Sequence, residues 1–276
     1  MGLRYHAEME KTDGLAAEHE LGKASVFIYG RPHNFKPLVR QWQDEASVHP
    51  TARIIETLGQ STIAIPQVYT FSANTGSYDD FPTHYQIENV KILTGLHTDA
   101  VILKPGQAAG IVTGDCPTIV LENTKTGEVV AAHGGRDSNI DRQNIDTGIP
   151  ARPHDGVVAS VLDYTKWRPD DLHVFVCVGI APEHFEHPWN DPTYGESNRA
   201  MVKWIIEKYG EQCVFGNPED GRIDLFALIK SQCVQFGIDA EHIQHDTLDT
   251  YSDERLWSHR NRNKSDGRNI VIVFCK

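Results

Sequence analysis

A cysteine and a histidine, each at the end of an apolar run, are the residues of this chain best placed to do chemistry. Thr113-Gly114-Asp115-Cys116 follows the run AAGIV, and His133-Gly134-Gly135 follows the run VVAA. Strand ends expose side chains, and a hairpin joining the two runs would bring Cys116 and His133 together. Two chemistries fit the pair. Thiolate and imidazole are ligands for zinc or copper, and a catalytic zinc keeps one position open beside three protein ligands. Alternatively, His133 takes the proton of Cys116 and the thiolate attacks an acyl carbon. Either chemistry needs a third group.

The elements that must position the pair follow from apolar periodicity. ASVFIYG (24–30) has the β-branched and aromatic content of a strand and ends at a Gly-Arg-Pro turn. STIAIPQVYTF (61–71) reads as a strand interrupted at Pro66, and the turn-rich segment after it, SANTGSYDDFPTH, reads as a candidate site loop. Two apolar runs then flank Lys-Pro-Gly in DAVILKPGQAAGIVTGDC, and Asn-Thr-Lys-Thr-Gly joins two more as a hairpin. LHVFVCVGIAP reads as a strand buried on both faces. VVASVLDYTKW, NRAMVKWIIEKYG and DLFALIKSQCVQFG have helical spacing, the last two closing at a glycine suited to a C-terminal cap. IVIVF is a late strand. Alternating strands and helices with hairpins among the strands predict an α/β fold with mixed sheets. No glycine-rich phosphate loop of the dinucleotide or P-loop type is present, which disfavours those cofactors.

At 276 residues without a linker-like stretch, the chain reads as a single domain over 24–276, with 1–23 a poorly ordered or peripheral arm and 137–156 an insertion loop. A formal charge of −12 argues against nucleic acid as a partner. No apolar run reaches the roughly 18 residues of a membrane helix, and the N-terminus lacks a signal-peptide core. These features point to a cytoplasmic protein with a small-molecule substrate and neither nucleic acid nor membrane as a partner. The five cysteines are odd in number and scattered, without a CxxC pair, so reduced thiols are expected.

The run LHTDAVILKPGQAAGIVTGDCPTIVLENTKTGEVVAAHGG resembles the laccase-domain family, also called polyphenol oxidoreductase or purine nucleoside phosphorylase proteins. That family has an Asp-Ala strand, Pro-Gly, Thr-Ala-Asp-Cys and then His-Ala-Gly-Trp. VGIAPEHFEHP, DLFALIKSQCVQFGI and the C-terminal TYSDERLWSHRNRNKSDGRNIVIVF extend the likeness in order, from about Ile65 onward. The resemblance implies a four-layer α/β/β/α fold with two mixed sheets and a zinc site made by His, Cys and His. It also implies activity on purine nucleosides, by phosphorolysis or adenosine deamination; an older label for the domain is copper-dependent polyphenol oxidase.

Carried over, Cys116 and His133 fall on metal-ligand and catalytic positions. The remaining ligand is the His of Gln-Val-His, where this chain has Gln67-Val68-Tyr69. A phenol, ionising near pH 10, is a poorer zinc ligand. Three explanations stay open: Tyr69 coordinates as phenolate, a nearby His replaces the missing ligand, or no catalytic metal binds; of the histidines, His97 ranks ahead of His84 because it directly precedes the Asp99 strand. Gln67, Tyr69, Asp115 and Arg136 are candidate substrate-binding residues, and Arg136 stands where the family has Trp. Arg260, in Ser258-His259-Arg260, is a candidate to hold phosphate in two-point fashion. His184, Glu186 and His187 are candidate acid or base groups.

The first reading is thus a metal-assisted enzyme acting on a purine nucleoside, with zinc, or else copper, as cofactor. A metal-free cysteine hydrolase or deamidase built on Cys116 and His133 is the second, and an inactive binding member the third. Copper-dependent phenol oxidation is the weakest, because one partial triad does not house a multicopper cluster.

Overall fold

The computed structural model describes residues 14–31, 99–106, 108–151 and 153–276, and the backbone of strands at 8–9, 68–70, 84–87 and 90–93. Strands are numbered in chain order: β1 Glu8–Met9, β2 Leu15–Glu20, β3 Ala24–Tyr29, β4 Val68–Thr70, β5 His84–Ile87, β6 Val90–Leu93 and β7 Ala100–Leu103. There follow β8 Ala108–Thr113, β9 Thr118–Asn123, β10 Val129–His133, β11 Leu172–Cys177, β12 Ile243–His245 and β13 Asn269–Cys275. The α-helices are α1 Arg136–Asn139, α2 Arg142–Thr147, α3 Val157–Thr165, α4 Gly195–Tyr209 and α5 Leu225–Gln235.

Two mixed sheets are formed, ordered β1-β5-β6-β8-β13-β3-β2 and β12-β11-β9-β10-β7-β4. In the first, β13 lies between β8 and β3 and is antiparallel to both; in the second, β9 and β10 form the hairpin predicted around Asn-Thr-Lys-Thr-Gly. Gly127 closes that turn at φ +76°, where a side chain would be strained.

Val26, Ile28, Val101, Leu103, Val120, Ala131, Val271 and Val273 share one buried cluster, contributed by strands of both sheets. The alternate residues of the second sheet, Ala100, Ile102, Ile119, Leu121, Val130 and Ala132, cluster instead with Val157, Val158 and Val161 of α3 and Ile229 and Cys233 of α5. Both faces of this sheet are therefore covered. That is why β9 reads TIVLEN with every residue buried rather than alternating. Each fully buried Ile or Leu here contributes about 1.5–3 kcal/mol relative to exposure. The described residues give the two sheets and the helices that pack on the second of them.

Three segments are more regular than their sequence pattern suggests. Within the arm expected up to Lys23, Leu15–Glu20 pairs antiparallel with β3 as the peripheral edge strand of the first sheet. Its short segment LAAEHE carries little apolar content, and pairing with a strongly apolar neighbour defines it more than its own pattern does. The insertion at 137–156 holds α1 and α2, and α2 is capped by Asp141, whose carboxylate accepts from the Asn144 N–H at 3.1 Å. His84 begins β5 rather than lying in a loop, paired with Leu93 in the first sheet.

Candidate active site at the crossing between the sheets

The chain leaves β8 in the first sheet and enters β9 in the second through Gly114-Asp115-Cys116-Pro117. Thr113 Oγ1 donates to the Cys116 carbonyl at 2.5 Å and tightens this crossing. The β9–β10 hairpin then sets His133 opposite Thr118, two residues from Cys116. The expected meeting of the two residues is thus made by a strand that changes sheets followed by a hairpin.

Gly134 and Gly135 let the backbone past this point. A Cβ on Gly135 would lie 2.7 Å from His133 Cε1 and 3.0 Å from Cys116 Sγ. The loop is fixed by Asn139 Nδ2, which donates to the carbonyls of Gly134 and Gly135 at 2.7 and 2.8 Å. Gln232 of α5 in turn donates to the Asn139 carbonyl at 2.6 Å. The helix layer therefore holds this loop from behind.

The third group is Asp99, at the mouth of β7. His133 Nδ1 lies 3.3 Å from Asp99 Oδ1 and 3.1 Å from Ser138 Oγ, and Ser138 donates to the same carboxylate oxygen at 3.0 Å. The His133 backbone N–H adds a bond to the Asp99 carbonyl at 2.7 Å. With Nδ1 engaged, Nε2 is left on the side where it and Cys116 Sγ both lie close to Gly135, 3.2 and 3.0 Å from where a Cβ would stand. Burial alone would lower the pKa of His133. The charge of Cys116 and the bonds to Asp99 and Cys116 outweigh it, and the pKa is pushed up to about 10. Asp99 was visible in the sequence only as a strand start, and Ser138 only as part of a polar insertion.

The pair opens into a cavity of about 590 Å³ that Arg136, Arg260, Arg268, His259 and Phe185 also line. Arg260 Nη1 donates to the Glu186 carbonyl at 3.0 Å, and its guanidinium lies 5.0 Å over the Phe185 ring. Arg268 Nη2 lies 3.3 Å from His259 Nδ1. Arg136 forms a two-point bond with its neighbour Asp137, at 2.8 and 2.9 Å, so the expected substrate contact competes with an internal partner.

Asp115 borders the cavity, but its carboxylate is buried and accepts from Thr250 Oγ1, Ser258 Oγ and the Arg260 N–H at 2.8, 2.7 and 2.7 Å. It ties the crossing to the C-terminal loop. His184 stacks on Tyr251 at 3.9 Å. Tyr69 sits in β4 at the register position of Val101, next to the strand that Asp99 precedes. Gln67 and His97 lie outside the described residues.

Cys116 and His133 supply two of the donors implied by the family, and the Asp99 contact resembles those that orient metal-bound imidazoles. Among the described residues, no group of three His, Cys, Asp or Glu is placed to hold a metal ion. A catalytic zinc draws on three protein ligands, and this set offers two. The described donors therefore do not make up a zinc or copper site.

The architecture defines a class: a two-sheet α/β protein with a cysteine–histidine centre where the chain passes between sheets. Residues 79–276 match the family model described as multi-copper polyphenol oxidoreductase laccase, and the chain belongs to that family. Its fold is similar to that of the Bacillus licheniformis hypothetical protein YfiH (TM-score 0.58, 11% identity, 92% of this chain and 93% of that one). YlmD from Geobacillus stearothermophilus is similar at TM-score 0.57, 13% identity and the same coverage. A Neisseria meningitidis protein matches at TM-score 0.54 and 14% identity, over 95% of this chain and 99% of that one. No curated protein matches the chain. Among the described residues no helix is long and apolar enough to cross a membrane.

Proposed function

We propose that this chain is an enzyme that cleaves purine nucleosides with inorganic phosphate. The observation that carries the reading is the shared cavity, which is lined by Cys116 and His133 together with Arg260 and Arg268. At about 590 Å³ it is within the range of small-molecule sites. Guanidinium groups suit an anionic co-substrate, which favours phosphorolysis over deamination, whose co-substrate is water. The purine comes from the family resemblance.

In this reading Arg260 holds phosphate, and a phosphate oxygen forms a bond to the anomeric carbon of the ribose. The carbon–nitrogen bond to the base breaks, and its electron pair leaves with the base. His133, an imidazolium at neutral pH, donates the proton that neutralises the departing base. Asp99 and Ser138 keep its Nδ1–H oriented, and Cys116 pairs with the ring charge. The products are ribose 1-phosphate and free purine.

The test is chromatography of inosine and adenosine incubated with the protein, with and without phosphate. Phosphate-dependent release of base with equimolar ribose 1-phosphate is the expected result. Release that ignores phosphate, or none from any purine nucleoside, overturns the reading.

The sequence of contacts Cys116–His133–Asp99 favours a second reading, acyl transfer with Cys116 as nucleophile, His133 as base and Asp99 as orienting group. A covalent acyl adduct on Cys116, seen by intact-protein mass spectrometry with activated esters or amides, would select it.

A further inference from the structure

Arg260 stands at an exposed rim on a long side chain, yet it is held at four points. Its backbone N–H donates to Asp115, its Nη1 donates to the Glu186 carbonyl, its plane covers Phe185, and its Nη2 lies 3.3 Å from His187 Nε2. A guanidinium has no acceptor, so the His187 nitrogen facing it must offer a lone pair. That assigns the ring proton to Nδ1, which lies 3.3 Å from the Gly221 carbonyl and donates to it. The His187 backbone N–H donates to the same carbonyl at 3.0 Å.

We propose that His187 is a positioning residue, a neutral imidazole whose Nε2 lone pair aims Arg260 into the cavity to receive an oxyanion of the phosphate class. The assignment rests on the reading of Arg260 as the phosphate holder.

The surroundings keep His187 neutral. It is buried, with its ring edge-on to Phe185 at 4.6 Å. The charged groups acting on it are Arg136 and Arg260, both cationic, while the neighbouring Glu186 carboxylate is turned to Arg222 at 3.1 Å. Burial first, then the two arginine charges, pull its pKa down to about 3. The Gly221 contact depends on glycine: φ is +62°, and a Cβ there would meet the His187 carbonyl oxygen at 1.8 Å. The turn at 218–221 thereby reaches the cavity through His187. The remaining N–H groups of Arg260 are left pre-aligned, which cuts the ordering cost of binding an anion.

The experiment is direct binding of inorganic phosphate, by calorimetry, to the wild type and to His187→Phe, His187→Gln and Arg260→Ala, with inosine affinity measured alongside. His187→Phe keeps the packing and removes the lone pair; about tenfold weaker phosphate binding is expected, with inosine affinity unmoved. His187→Gln, whose amide oxygen reaches the Nε2 position, is expected to restore most of the loss. Phosphate affinity unchanged in a folded His187→Phe, or a loss shared equally by phosphate and inosine and not rescued by Gln, overturns the positioning role and leaves the proposed function standing. If Arg260→Ala binds phosphate like the wild type, or the wild type binds none, the reading of Arg260 falls and takes this inference with it. Nitrogen-15 spectra of the wild-type histidines provide a test that needs no variant. An Nδ1–H neutral ring for His187 at pH 7 is expected, and an imidazolium or the Nε2–H tautomer overturns the proposal.

Discussion

Cys116 differs from the other four cysteines in its access to solvent. Cys177, Cys213, Cys233 and Cys275 are buried, and burial pushes their thiols up, to about 12 for Cys233 and about 11 for Cys275. Only the thiolate reacts readily. Brief treatment of the native protein with iodoacetamide should therefore label Cys116 alone, as read by peptide mass spectrometry; early label on any of the other four would contradict this packing. Gly135 makes a sharper point, because a single methyl there would push between His133 and Cys116. Gly135→Ala should lower kcat/KM by about 10- to 100-fold, the scale of an ångström-sized misplacement, while thermal unfolding changes little. In the proposed reaction, the raised pKa of His133 sets the alkaline limit. An imidazolium that donates a proton is present below about pH 10 and lost above it, so kcat should fall as pH rises through that value. A rate that already falls between pH 6 and 7 would remove His133 from the acid role.

At the scale of the elements, the site depends on how the crossing after β8 is fastened to the loop before β13. Asp115 is the fastener on one side, holding Thr250, Ser258 and the Arg260 backbone. Asn269 is the other. Its Oδ1 accepts from the Trp257 N–H at 2.8 Å, while its Nδ2 donates to the carbonyls of Trp257 and Gly114 at 2.8 and 3.3 Å. Both side chains are buried, and removing either orphans several polar groups. Asp115→Ala should cost about 3 kcal/mol in urea unfolding, the charged bonds being the stronger ones. A loss below about 0.5 kcal/mol would mean that the loop is held some other way.

Across the whole molecule, a buried neutral histidine leaves a trace in the dependence of stability on pH. His187 has a folded pKa of about 3 against an ordinary value of 6.5. Between those values the unfolded chain binds a proton that the native protein refuses, so stability declines as pH falls below about 6.5 and levels off near 3. His187→Gln removes the titrating group. Its urea-unfolding free energy should decline less steeply than that of the wild type over this window, and parallel curves would show that His187 does not stay neutral.

How much of this was legible in the sequence depended on the range of the interaction. The pairing of Cys116 with His133, the β9–β10 hairpin, the helices with their caps and the late strand IVIVF follow from periodicity and turn residues, which act over a few positions along the chain. The free state of the cysteines follows from their odd number and scattered spacing. The motif spacing was enough to indicate the family, because Asp-Ala, Pro-Gly, Gly-Asp-Cys and His-Gly-Gly occur in order. Tertiary structure alone decided that β8 and β9 belong to different sheets. It also placed Asp99 and Ser138 behind His133, tied Asp115 to Thr250, Ser258 and the Arg260 backbone, and paired Arg136 with Asp137. These outcomes depend on polar side chains brought together from distant positions, or turned toward one neighbour rather than another. A one-dimensional pattern records which groups are available, but their partners are set by distances that exist only once the sheets have packed.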